Sequence, residues 1–114
     1  MSQYVDWTFA KTTGGRLAPA GPDVSADEAV EIVADFMEDD KVVAAICHGP
    51  WLLVESGLAK GRKVTSWPSV KTDLVNAGAQ WEDAEVVVDG NLITSRKPDD
   101  IPAFNAAIVK AVAA

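Results

Sequence analysis

Apolar positions change their spacing several times along the chain, and each change predicts an element. Residues 4–10 (YVDWTFA) alternate weakly, as in a strand, and residues 12–23 form a loop rich in glycine and proline. Residues 25–40 begin with a capping box, Ser25 to Glu28, and predict an amphipathic helix. Its apolar side chains share one face: Ala29, Ile32, Val33, Phe36 and Met37.

The middle of the chain alternates strands and helices. Residues 41–46 (KVVAAI) are apolar without alternation, which predicts a strand covered on both faces. Residues 49–61 predict a helix, with Pro50 in its first turn and Gly57 near its end. A short strand at 63–67 and a helix at 69–78 follow.

The last third of the chain predicts a hairpin and a closing helix. Residues 84–96 (AEVVVDGNLITSR) contain two β-rich runs, with Asp89 and Gly90 placed for a primed turn. The final helix has its apolar face at Ile101, Phe104, Ile108 and Val112. Alternation of this kind predicts an α/β sandwich with a mainly parallel sheet, built as one domain over residues 1–114.

Composition narrows the classes of partner. The 114 residues carry a net charge of −7, which disfavours binding to nucleic acid. The apolar runs are too short to span a bilayer, and no signal peptide is expected. A single cysteine fits a reducing cytoplasm, and one cysteine with one histidine cannot complete a metal site.

That cysteine and histidine, Cys47 and His48, are adjacent where the apolar strand meets a Gly-Pro turn. The carboxyl end of a parallel strand is where such folds hold ligands and nucleophiles. A sharp strand-turn-helix connection would expose the sulfur, and the following helix N-terminus would favour the thiolate. The alternative is an inert, buried cysteine, which is the commoner use of the residue.

The segments AAICHGPWLL, KVTSWPSVKTDLVNAGAQW, EVVVDGNLITSRKPDDIPAF and GGRLAP together resemble the PfpI-type intracellular protease branch of the DJ-one/PfpI superfamily. The resemblance covers nearly the whole chain. It implies a flavodoxin-like three-layer sandwich, related to class I glutamine amidotransferases, with a C-terminal β-hairpin and no cofactor. Activities in the family include peptidase, glyoxalase, protein deglycation and stress protection.

The resemblance also implies residue roles. Cys47 matches the nucleophile and His48 the histidine that assists proton transfer. Backbone N–H groups at Gly14 or Gly15, together with that of His48, would form an oxyanion hole. Trp67 stands where relatives have a tyrosine that lines the pocket, although plain packing is the alternative.

Three further residues are candidates for the site. Pro50 is assigned to the pocket beside Trp67. Arg96 would attract an anionic substrate there, unless an ion pair occupies it. Relatives carry an acidic residue near Ala20, and Asp23 is the available substitute.

The resemblance places the start of this sequence at the family's third strand, which implies a truncated domain without the glutamate that bonds the cysteine in relatives. Two hypotheses follow. The first is a cysteine-dependent hydrolase or lyase acting on a peptide bond, or on a small dicarbonyl or glycated adduct. The second is an impaired remnant that serves as a stress-associated binding or assembly module. A third and weaker hypothesis is redox sensing by oxidation of Cys47. Uncovered apolar surface predicts a homo-oligomer or a complementing chain.

Overall fold

The structure, a computed structural model, describes residues 26–113, so the strand and loop predicted before residue 24 lie outside the described residues. The helices are α1 (Ala26–Glu38), α2 (Trp51–Glu55), α3 (Lys71–Asn76) and α4 (Ile101–Ala113). The strands are β1 (Val43–Ile46), β2 (Lys63–Val64), β3 (Gln80–Trp81), β4 (Val86–Asp89) and β5 (Leu92–Ser95). Short 3₁₀ helices, Pro68–Val70 and Pro98–Asp100, lead into α3 and α4.

The strands form two sheets. In the larger sheet the order is β1-β5-β4, with β1 parallel and β4 antiparallel to the central β5. The register places Ile46 opposite Ser95, so β1 and β5 end side by side. The smaller sheet pairs β2 with β3 in parallel. The fold is thus a mixed α/β arrangement, in agreement with a truncated flavodoxin-like domain.

Strand β1 is buried on both faces, as its unbroken apolar run predicts. Val43 joins a core with α1, α2 and α3, to which Val33, Leu53 and Leu74 contribute fully buried side chains. Ala44 and Ile46 point the other way, to a second core with Phe104 of α4. Burying each large aliphatic side chain stabilises the fold by about 1.5–3 kcal/mol, so helices on both faces hold the strand in place.

The hairpin between β4 and β5 turns one residue later than predicted. Asp89 pairs with Leu92, so the two-residue turn is Gly90 and Asn91. Gly90 has φ of 59°, a left-handed conformation that glycine adopts without steric cost. The Asn91 side-chain amide donates to the carbonyl of Asp40, which ties the turn to the end of α1.

Two predicted elements are shorter in the structure, and a third differs in the face that it buries. The helix predicted at 49–61 is only five residues long, and the strand predicted at 63–67 covers two residues. In α4, Phe104 is buried, but Ile101 and Val112 are 41% and 42% exposed. The predicted apolar face of this helix is therefore wrong at both ends. Among the helices of residues 26–113, none has the length and apolarity needed to cross a membrane.

Candidate active site at the end of strand β1

Cys47 occupies a sharp bend directly after β1. Its φ is 65°, a left-handed value that costs a non-glycine residue about 1–2 kcal/mol. The chain then winds into α2 through successive short-range bonds, from Gly49 N–H to the Ile46 carbonyl (2.9 Å) and from Trp51 N–H to the His48 carbonyl (3.0 Å). The predicted strand-turn-helix connection is present.

Long-range backbone bonds hold this bend from both sides. The Cys47 N–H donates to the carbonyl of Ser95 in β5 at 3.1 Å. The Cys47 carbonyl accepts the N–H of Trp67 at 2.8 Å. Behind the bend, a Cβ added at Gly49 would lie 3.0 Å from the Ile46 carbonyl oxygen and 3.2 Å from the Ala45 Cβ. Only glycine fits this turn without displacing the strand.

The sulfur and the imidazole are in contact. Cys47 Sγ lies 3.2 Å from His48 Nδ1, and both residues are half-buried. Neighbouring side chains need not face each other, so the contact is a property of the bend. The geometry permits a proton to pass from the thiol to the ring nitrogen.

The thiol pKa is raised, contrary to the expected stabilisation of the thiolate. Burial is the larger cause and raises the pKa of Cys47, while a hydrogen bond from the His48 backbone N–H lowers it to a smaller extent. Helix α2 has only five residues, so few peptide dipoles add up at its N-terminus. The neutral thiol is therefore the resting form.

Two tryptophans flank the imidazole. The ring centroids of His48 and Trp51 are 5.1 Å apart, and those of His48 and Trp67 are 6.3 Å apart in a stacked arrangement. Trp67 is 38% exposed, so it forms part of the accessible surface beside the site. The role of Trp67 in a substrate pocket stays a prediction.

The other two pocket assignments do not fit the structure. Pro50 is fully buried at the start of α2, so it has no surface to offer a substrate. Arg96 follows β5, next to the bend, but its guanidinium pairs with Asp100 (2.8 Å) and Asp83 (2.8 Å). The ion-paired alternative therefore holds for Arg96, and its charge is not free to draw in an anion.

Gly14, Gly15 and Asp23 lie outside the described residues, so the predicted oxyanion donors and the substitute acid stay predictions. Within residues 26–113, no three His, Cys, Asp or Glu side chains group as a metal site would need. Sequence reasoning missed two contacts, that of the Trp51 ring with His48 and the hydrogen bond from the Trp51 indole N–H to Asp73. Trp51 lies one helical turn after His48, which spacing alone would have revealed, whereas Asp73 comes from a distant helix and gave no signal.

Comparison with known proteins agrees with the fold. Residues 13–111 match the DJ-1/PfpI family. The deglycase PH1704 of Pyrococcus horikoshii is 49% identical over an alignment of 119 positions, which covers 96% of this chain and 70% of that protein. General stress protein 18 of Bacillus subtilis is 52% identical over 80 residues, covering 69% of this chain and 46% of that protein.

A solved structure gives the same result. It is a two-domain protein of Anabaena variabilis with DJ-1/ThiJ/PfpI-like and ferritin-like domains, at a TM-score of 0.74 and 44% identity. The match covers 75% of this chain and 25% of that protein. The chain spans about half the length of most of the curated relatives it matches. These matches show that the chain belongs to the DJ-1/PfpI family.

Proposed function

We propose that this chain is a cysteine-dependent enzyme that adds Cys47 to the carbonyl carbon of a small dicarbonyl or of a glycated adduct, as part of stress protection. The observation that carries the proposal is the 3.2 Å contact between Cys47 Sγ and His48 Nδ1 at a strained, half-exposed bend. Relatives named as a deglycase and as a general stress protein support the choice of substrate class and setting.

The raised thiol pKa decides how the first step proceeds. Because burial keeps Cys47 protonated, the sulfur must lose its proton as it attacks. His48 Nδ1 accepts that proton while the S–C bond forms and the carbonyl π bond opens. The proton then passes from His48 to the new alkoxide, which gives a hemithioacetal. For a dicarbonyl, a hydrogen shift within this adduct gives a thioester, and hydrolysis by water releases a hydroxy acid and restores the Cys47 thiol.

The surroundings favour an uncharged carbonyl substrate. Trp67 offers an exposed indole face beside His48, which suits a small, planar, weakly polar molecule. Arg96, the nearby cation, is already neutralised by Asp100 and Asp83. The His48 backbone N–H already lies against the sulfur and is the donor best placed for a developing oxyanion.

The test is the consumption of methylglyoxal by the full chain, with a fluorogenic peptide as the competing substrate class. Wild type should consume the dicarbonyl, Cys47→Ser should lose essentially all of this activity, and His48→Asn should lose about 10²–10⁴-fold. Asp99→Asn, at an exposed carboxylate next to α4, is a control that should match wild type.

Each other outcome has a definite meaning. Equal rates for wild type and Cys47→Ser would overturn the proposal. Cleavage of the peptide without dicarbonyl consumption would overturn the substrate class and restore the peptidase hypothesis. A chain that acts on neither substrate, yet protects other proteins from aggregation independently of Cys47, would indicate the non-catalytic module.

A further inference from the structure

The orientation of the His48 ring depends on its neighbours, because only one of its nitrogens contacts the sulfur. His48 Nδ1 is the atom 3.2 Å from Cys47 Sγ. A rotation of the imidazole about its own bonds would replace that nitrogen by carbon. Trp51, tilted by 50° at 5.1 Å, and Trp67, stacked at 6.3 Å, border the ring and limit such rotation.

Trp51 is itself held by a side chain from another helix. Its indole Nε1 donates to Asp73 Oδ2 at 2.9 Å, across 22 positions of sequence. Asp73 lies in the first turn of α3, and Trp51 is the first residue of α2. The bond therefore ties the indole that touches His48 to a second helix, so the indole is not simply resting on the surface.

We propose that Asp73 and Trp51 form a positioning pair, in which Asp73 fixes the Trp51 indole and the indole sets the plane and the protonation of the His48 imidazole against Cys47. The pair acts through His48 and touches no substrate. The inference rests on the proposed function only in that His48 is taken to accept the Cys47 proton. The contacts that carry it are independent of any substrate.

The effect on protonation follows from the ring's electrostatics. An indole face attracts a cation, and a carboxylate that accepts the indole N–H increases the electron density of that face. A protonated His48 is thus stabilised more than a neutral one, which makes the imidazole a better proton acceptor. Two other carboxylates, Asp27 of α1 and Glu55 of α2, line a groove together with Trp51 and Asp73, and any general effect of groove charge would come from them as well.

Variants at positions 51 and 73 separate two effects: the hydrogen bond that holds the Trp51 indole, and the negative charge of Asp73. Trp51→Phe keeps an aromatic ring but removes the N–H donor. Asp73→Asn keeps an oxygen acceptor but removes the charge, and Asp73→Ala removes both. Asp73 is exposed, so its replacement leaves the core intact. Glu55→Gln is the matched control, because it removes a carboxylate of the same groove.

The measurement is the ¹H NMR titration of the His48 Hε1 resonance in the full chain. The chain has one histidine, so the resonance needs no assignment. Trp51→Phe and Asp73→Ala both keep an aromatic face beside His48, so each should lower the His48 pKa by less than about half a unit, the size of a whole exposed cation–π contact. Asp73→Asn should lower it less than Asp73→Ala. Glu55→Gln should leave the resonance and its midpoint near the wild-type values.

An unchanged His48 midpoint and chemical shift in both Trp51→Phe and Asp73→Ala would overturn the inference. An equal shift in Glu55→Gln would overturn it as well, because general groove charge would then be the cause. The result is read without any substrate. A chain that fails to consume dicarbonyl while His48 responds as expected would therefore refute the proposed function alone.

Discussion

Two bends of the chain share the same unusual backbone conformation. Among residues 26–113, Asp40 (φ 56°) and Cys47 (φ 65°) have left-handed values without being glycine. At Asp40 the reason is local. The residue lies just after the end of α1, and the Lys41 N–H donates to the Phe36 carbonyl at 2.9 Å, which closes the helix as a left-handed cap does. Aspartate tolerates this conformation, and the side chain is exposed.

At Cys47 no such local cap exists among the bonds that hold the bend. Its backbone partners are Ser95 and Trp67, which are distant in sequence. The conformation therefore persists because tertiary structure imposes it, and its result is a sulfur beside His48 at the end of β1. The two bends show that a left-handed residue indicates a site only where local capping does not explain it.

The largest effect is expected from Gly49→Ala, which disturbs the bend at Cys47 but not the bend at Asp40. The new Cβ would lie 3.0 Å from the Ile46 carbonyl oxygen, so the strand or the bend must shift. We expect a loss of about 3 kcal/mol in the free energy of unfolding. Urea denaturation measures the loss, and alkylation of Cys47 shows whether the bend has moved.

Gly57→Ala is the control for this variant. Its φ is 76°, but nothing lies within 4 Å of the new Cβ, so about 1 kcal/mol is expected without any change in Cys47 reactivity. A Gly49→Ala protein as stable as wild type, with unchanged alkylation, would show that the bend is loosely held.

A smaller effect is expected from Asp100→Asn, which weakens the support of Cys47 but not that of Asp40. Asp100 is buried and receives the Arg96 guanidinium and the Arg96 backbone N–H, directly after Ser95. Removing its charge should cost about 2 kcal/mol at pH 7 and alter the rate of Cys47 alkylation. Asp83→Asn, at an exposed partner of the same arginine, should cost about 0.5 kcal/mol.

The pH dependence of the stability tests whether the Arg96–Asp100 ion pair causes this loss. The Arg96 guanidinium lowers the pKa of Asp100 in the folded protein, below the ordinary 3.8. The stabilisation is therefore present above that value and is lost as the pH falls through the lowered pKa. Wild type and Asp100→Asn should converge in stability in strong acid. A difference that stays constant down to low pH would show that the ion pair does not cause it.

The smallest effect comes from replacing each left-handed residue by alanine and by glycine. Glycine should be more stable than alanine by about 1 kcal/mol at both positions, since both φ values are positive. Thermal unfolding measures the difference. Reactivity towards carbonyl compounds should differ between the two positions, because only the Cys47 variants should lose it. A preference for alanine at position 47 would mean that the bend is not left-handed in solution.

Periodicity predicted much of the fold. The apolar run of β1 was enough to place it between two cores, and α1 has the predicted buried face at Ala29 and Val33. Periodicity failed for α4, where Ile101 and Val112 share a pattern with Phe104 but lie too near the ends to be covered. The extents of α2 and β2 also failed, because turns and pairing partners fix element ends more than propensity does.

The site was predictable only in part. Adjacency placed Cys47 and His48 at a strand end, and local spacing would have added Trp51. The other residues around them are distant in the sequence, and only the fold places Ser95, Trp67 and Asp73 near the site. The raised pKa of Cys47 was missed for the same reason, because burial depends on tertiary packing. Self-association of the chain stays a prediction.

The measurement that tests the account most directly is the rate of Cys47 alkylation by iodoacetamide in the folded chain as a function of pH. Cys47 is the only cysteine, so mass spectrometry reads the reaction without ambiguity. The account predicts labelling of the native protein with a midpoint above that of an ordinary cysteine, because burial raises the thiol pKa. A midpoint well below the ordinary value, or labelling only after denaturation, would contradict a half-exposed neutral thiol that gives its proton to His48.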